Sequence, residues 1–281
     1  MGSGQVRMHN EGADLSSAGS DDMLTRNILN YAIGLREQTT RQFDQANATR
    51  LERTLGDINM VTTLKLFALI EGCDIRLGAQ FDAFALTTRS LDVLVSALHM
   101  ARQRAVLETL TLLRVALEAA CTSHHICKDE AAYAQYVQGR YKSTASITYM
   151  RKHIPFIGKV WGVISNACVH PSRRFFGPEL AEDQDGETVA TVSLHFAARP
   201  PEPGLDAVLL NFISLVTMIL LKVLEDFLTE ESSLLKPGGR RMVGTNWHLL
   251  AGHADTMLTK YYQQLMDSIA CRAKEEGETQ T

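Results

Sequence analysis

Apolar residues recur at spacings of three and four along most of this chain, and that period predicts helices. The clearest case is residues 104 to 127, RAVLETLTLLRVALEAACTSHHIC, where Leu110, Leu113, Leu117 and Ala120 share one face. A second stripe runs beside it: Thr111, Arg114, Glu118, Cys121 and His125. An arginine, a glutamate and a histidine on the flank of an apolar helix need partners if they are buried. Upstream, Ser20 and Asp21 can cap a helix that starts near Asp22 and carries Ile28, Leu29, Ala32, Ile33 and Leu35 on its apolar face to about residue 47. A second helix is predicted over 51 to 80, interrupted at Gly72 and ended near Gly78, and a third over 82 to 101. Arg102-Gln103-Arg104 is a connection short enough to make the third helix and the central one antiparallel neighbours.

Downstream of the central helix, Lys128-Asp129-Glu130 marks a turn, and Ala131 to Met150 reads as one helix. Pro155 breaks the pattern, and a shorter helix follows from Ile157 to Ala167. Residues 172 to 204 change character. Val189 to Phe196 alternates with a period of two, which predicts a small β-hairpin, and ARPPEPG follows as a Pro-rich loop. A long apolar helix runs from Leu205 to about Thr229, and an amphipathic one from about Asn246 to Lys274. The expected fold is all-α: a bundle of about seven or eight helices with a small β-hairpin insertion at 172–204. It forms a single domain over 20–274, between a disordered tail at 1–19 and a solvated tail at 275–281.

Composition narrows the class. The 281 residues are 45% hydrophobic and 21% charged, ordinary values for a globular chain long enough to bury a sizeable core. Five cysteines at irregular spacing, without a CxxC, point to free thiols in a reducing compartment. No apolar leader is evident at the N-terminus, and the expected location is cytoplasmic. The longest apolar run, Ala207 to Leu221, is short of the ~20 residues that a membrane span needs. It is bounded by Asp206 and Lys222 and reads as a core helix, so no membrane association is expected.

Charge changes the picture more than composition does. The net charge is −4, yet residues 131 to 178 contain no Asp or Glu. The same window carries Arg140, Lys142, Arg151, Lys152, Lys159, Arg173 and Arg174, together with Tyr133, Tyr136, Tyr141, Tyr149, Phe156, Trp161, Phe175 and Phe176. Cations interleaved with aromatics suit a phosphate backbone with stackable bases. The competing reading places the aromatics in the core and turns the cations toward acidic helices of the same chain or of a partner.

Three pieces stand together: Arg114-x-x-x-Glu118 in LLRVALEA, the tyrosine-bearing stretch with Tyr141 and Thr144, and SNACVHPS at residues 165 to 172. In this order they resemble an uncharacterised group of bacterial all-helical proteins, similar to distant relatives of the HEPN superfamily, over roughly residues 83 to 172. The resemblance implies an RNA- or nucleotide-binding protein of defence or toxin type, a homodimer with two motifs facing one cleft, and metal-independent ribonuclease activity. On that reading His170 moves the 2′-hydroxyl proton and Asn166 positions it. Arg114, Arg173 or Arg174 binds phosphate, and Glu118 belongs to the same cluster. Arg140, Tyr141, Lys142, Arg151 and Lys152 complete the nucleic-acid contact. The chain departs from the family pattern at Ser165, which stands where the motif carries arginine.

The alternative is a non-catalytic homodimeric interaction protein that docks a protein partner. On that view Arg114 and Glu118, one turn apart, pair on their own helix, with His170 bonded to Glu118. No cofactor or metal site is expected. Cys121, His124, His125, Cys127, Cys168 and His170 fit no standard zinc spacing. His248 and His253 lack the glutamate and spacing of a zinc protease helix. Neither a Gly-rich phosphate loop nor a GxSxG elbow is present.

Overall fold

A computed structural model describes residues 21–70, 78–169, 179–182, 188–191, 203–228 and 248–260. The body is all-α. Its helices are α1 (Asp21–Ala46), α2 (Ala48–Ile70), α3 (Ala79–Arg102), α4 (Val106–Lys128), α5 (Glu130–Val137), α6 (Ser143–Met150), α7 (Ile157–Val169), α8 (Pro203–Leu228) and α9 (248–260). The expected tails at 1–19 and 275–281 lie outside the described residues.

The central stretch is the hub. Helix α4 packs against α3, α5, α6, α7 and α8. Leu110, Leu113, Leu117 and Ala120, the face that the three-four spacing selects, are all completely buried. Helix α3 lies antiparallel to it. The Ser90 hydroxyl donates to the carbonyl of Ala116 at 2.9 Å, and Ser123 donates to that of Ala83 at 2.8 Å. Alanines at 83, 97, 101, 116 and 120 are fully buried, so two backbones can approach closely enough for hydroxyl-to-carbonyl bonds.

Helix α8 fills the other side of α4. Val208, Leu209, Phe212, Ile213, Leu215, Val216, Ile219, Leu220 and Leu224 are completely buried. Its length and hydropathy alone would allow it to cross a membrane, but 78% of its apolar window is buried inside the bundle. Asp206 and Lys222, which bound the apolar run, are both ion-pair partners. Asp206 takes the guanidinium of Arg104, with both side chains 3% exposed, and Lys222 pairs with Asp226 and Glu225. Arg104 sits at φ 54°, a left-handed conformation that L side chains adopt only when surroundings hold them there. The Asn47 amide, at the α1–α2 junction, donates to the same Asp206 carboxylate at 3.2 Å. One carboxylate thus ties the α1–α2 junction and the α3–α4 turn to the start of α8.

Two expectations are corrected. The single helix expected over 131–150 is two. Gly139, at φ 67°, ends the first in the left-handed conformation that glycine adopts at least cost. The hairpin drawn at 172–204 is not supported as expected. The described residues there hold only two four-residue strands, Glu179–Glu182 and Thr188–Thr191, paired antiparallel. The alternation expected onward to Phe196 lies outside the described residues.

Candidate functional site

Asp129 opens the edge that carries most of the predicted site. Its carboxylate accepts from the backbone N–H groups of Ala131 and Ala132 and caps α5. The short helices α5 and α6 and the start of α7 then lie along α4 and present the acid-free window to solvent. Arg140, Lys142, Arg151, Lys152 and Lys159 are exposed. Among the described residues none of these five has an ion-pair partner. Tyr133, Tyr136, Tyr141, Tyr149, Phe156 and Trp161 are half-buried between them.

Cations and rings are paired in space as well as in sequence. The Lys152 ammonium lies 4.7 Å from the centre of the Tyr149 ring, and that of Lys159 lies 5.4 Å from Phe156. The Arg114 guanidinium lies 5.2 Å from Trp161. A cation over a ring face is attracted by the ring quadrupole, and the contact keeps side chains that are otherwise mobile on one surface. Gly158 contributes by having no side chain: a Cβ there would sit 2.4 Å from Nη2 of Arg151, which folds back over the first turn of α7.

The stripe on α4 separates into parts. Thr111 is exposed and Cys121 is completely buried, which pushes the Cys121 thiol far above its usual range. Arg114 donates from Nε to Glu118 at 3.0 Å, as their one-turn spacing allows. The same Glu118 oxygen accepts from the Trp161 indole at 2.7 Å. Glu118 therefore joins α4 to α7. Asn166 lies on α7, one position past Ser165, which is buried. The motif position that carries arginine in the resembled family thus faces the interior here. His170, Arg173 and Arg174 lie outside the described residues, and so does the expected bond from His170 to Glu118.

A second cluster adjoins this edge, and only His125 of it belongs to the predicted stripe. His125 stacks on Tyr149, with centroids 4.2 Å apart, and shares a 2.8 Å hydrogen bond with the Tyr141 hydroxyl. Burial pushes the Tyr141 phenol up to about 12 and draws His125 below its ordinary range. His124 is 4% exposed, and its Nε2 lies 3.4 Å from Asp226 of α8. The ring of His153, half-buried in the turn after α6, meets His124 edge-on at 5.1 Å. Burial also lowers the pKa of His153, and the neighbouring His124 adds to the effect. Burial alone would raise the pKa of Asp226, but hydrogen bonds from His124 and Lys222 outweigh it and hold the carboxyl at about 2. Three imidazoles, two phenols and an ionised carboxylate therefore meet beside the cationic edge. His153 and Asp226 carry no sequence motif; only the packing of α8 on α4 brings them together.

Elsewhere, Lys65 on α2 is 6% exposed and donates to the hydroxyls of Thr87 and Thr88 on α3. Burial lowers its ammonium pKa to about 8. Among the described residues no group of three or more His, Cys, Asp or Glu is placed to hold a metal ion. Compared with protein families, with curated proteins and with solved structures, the chain matches none.

Proposed function

We propose that this protein binds RNA or a nucleotide along the α5–α7 edge, as a HEPN-like helical protein of defence or toxin type. The observation that carries the reading is the cation–ring pairing on the edge built from the acid-free window: Lys152 on Tyr149 and Lys159 on Phe156, with Arg114, itself paired with Glu118, on Trp161. Exposed cations attract phosphates, and the rings beneath them keep those cations on one surface. Metal-independent cleavage with Asn166 and His170 belongs to the same reading. So do a cytoplasmic location and a homodimer formed through exposed apolar residues such as Tyr31, Ile33, Leu55 and Leu66.

The test is fluorescence anisotropy with a labelled 20-nucleotide single-stranded RNA in EDTA, across a salt series. Wild type is expected to bind with a steep salt dependence. Lys152→Ala with Lys159→Ala is expected to weaken binding and flatten the slope, since each lost phosphate contact removes roughly one ion from the exponent. No binding at low salt ends this reading. Parallel cleavage assays with His170→Ala test the catalytic part.

One observation favours the second reading, a non-catalytic homodimeric interaction protein. Glu118 is committed to both Arg114 and Trp161, so that pair holds α4 to α7. Co-purification of a stoichiometric protein partner, without nucleic acid, supports that reading over the first.

A further inference from the structure

Metal-free cleavage of an RNA phosphodiester needs a base for the 2′-hydroxyl proton and a cation for the charge that grows on phosphate, both within reach of one phosphate. Three consecutive residues after α6 carry groups of both kinds. Arg151 and Lys152 are exposed, and His153 is half-buried beside them. Lys152 is held over Tyr149, whose ring also contacts His153 at 6.0 Å. Behind His153 stands His124, and behind His124 stands Asp226. The His153 ring is thus held edge-on by His124, and Asp226 in turn fixes His124 through its Nε2.

We propose that His153 is the proton-transfer group of a metal-independent RNA cleavage on this edge, with Arg151 and Lys152 holding the phosphate and His124 and Asp226 as positioning residues. The proposal rests on the RNA-binding reading above and gives the proton transfer to His153, His124 and Asp226, which the family resemblance does not name. In the step, the 2′-hydroxyl gives its proton to the imidazole of His153 as its oxygen bonds to phosphorus. The bond from phosphorus to the 5′-oxygen breaks, and that oxygen takes a proton from water. His153 then returns its proton to solvent. The products are a 2′,3′-cyclic phosphate and a 5′-hydroxyl end.

The groups facing His153 are His124 from α4, Tyr149 and Lys152 from its own side, and Asp226 and Lys222 from α8. Burial, His124 and the two lysines favour the neutral ring; Asp226 opposes them. The net shift is downward from 6.5, so the ring is a ready base at neutral pH. Cleavage therefore rises with pH along a limb below 6.5 and is level above it.

The experiment uses the full chain, a 5′-labelled single-stranded RNA and EDTA, under single-turnover conditions from pH 5 to 8. RNA affinity is measured alongside on the same preparations. His153→Gln is expected to lose at least about 100-fold in rate, the usual scale for removal of a general base, with its affinity unchanged. His153→Ala is expected to regain rate on addition of free imidazole. Asp226→Asn is expected to move the pH limb, which a purely structural role would not do. Cleavage that survives in His153→Gln overturns the proposal, as does cleavage lost only in His170→Ala. RNA bound but not cut by the wild type at any pH also overturns it and leaves the binding reading intact. RNA not bound at low salt overturns both.

Discussion

Helix α8 meets the α4 region through an aspartate near each of its ends, and the two contacts are built from opposite materials. Near the start of both helices Asp206 holds Arg104, with both side chains 3% exposed. Near their ends Asp226 holds His124, and the carboxylate is 23% exposed. The contacts stand roughly 30 Å apart at the α-helical rise per residue. They show that α4 and α8 run parallel. The first contact uses a guanidinium, which keeps its charge across the physiological range, and is closed off from water. The second uses an imidazole, shares its carboxylate with Lys222, and opens toward His153 and the cationic edge. A permanent, dry ion pair suits a fixed anchor. A pair whose carboxylate is partly open to solvent leaves that end of the bundle in contact with the cationic edge.

The largest predicted effect is at the dry end. Asp206→Asn leaves the Arg104 charge buried without its counter-ion and is expected to cost about 3–5 kcal/mol in urea denaturation. Arg104→Met combined with Asp206→Leu removes both charges and is expected to recover most of that loss. If Asp206→Asn cost less than 1 kcal/mol, the contrast between the two ends would collapse. Asp226→Asn is expected to cost only about 1 kcal/mol, because the site is partly hydrated and Lys222 keeps Glu225 at 3.2 Å.

Acidification sharpens the same contrast. His125 and His153 have folded pKa values below their ordinary 6.5, so the fold favours their neutral forms. Their contribution is complete above pH 6.5 and is lost as pH falls from there through the folded values. Denaturation midpoints measured between pH 7.5 and 5 are expected to fall, and the His125→Gln/His153→Gln double variant to fall less. Asp226 adds a separate loss at lower pH. Its stabilisation is complete above 3.8 and disappears as pH drops through about 2.

The smallest effect concerns the join between α4 and α7. Trp161→Phe keeps a ring under Arg114 but removes the indole donor to Glu118, at a cost of ~1 kcal/mol. Glu118 retains Arg114, so this carboxylate is not left unpaired. A loss of 3 kcal/mol or more would mean that this contact is as dry as the Arg104 pair.

Local patterns were legible in the sequence; the long-range meetings were not. The face of Leu110, Leu113, Leu117 and Ala120 follows from a 3.6-residue period, and the Arg114–Glu118 pair follows from one helical turn. The cationic, aromatic window was visible because it is contiguous. The break at Gly139 could have been read from the glycine itself, which ends helices in the left-handed conformation. The buried role of Arg104 had no such signal, since a charged residue in a connection usually faces water. The cluster of His124, His153 and Asp226 was equally hidden, because spacing within one helix says nothing about which carboxylate another helix delivers. Asp206 and Lys222 looked like the polar limits of an apolar run, when each is bonded into the bundle.

The parallel pairing of α4 and α8 also shapes how the chain acquires its structure. Arg104 and Asp206 are 102 positions apart. On a ribosome adding about 5–20 residues per second, the antiparallel α3–α4 hairpin emerges several seconds before the carboxylate that neutralises Arg104. During that interval the turn carries an uncompensated charge and α4 lacks the cover that α8 supplies, so closure must wait for a contact of high sequence separation, the slow kind. The nascent chain is thus most open to aggregation and chaperone capture after α4 has emerged and before α8 arrives.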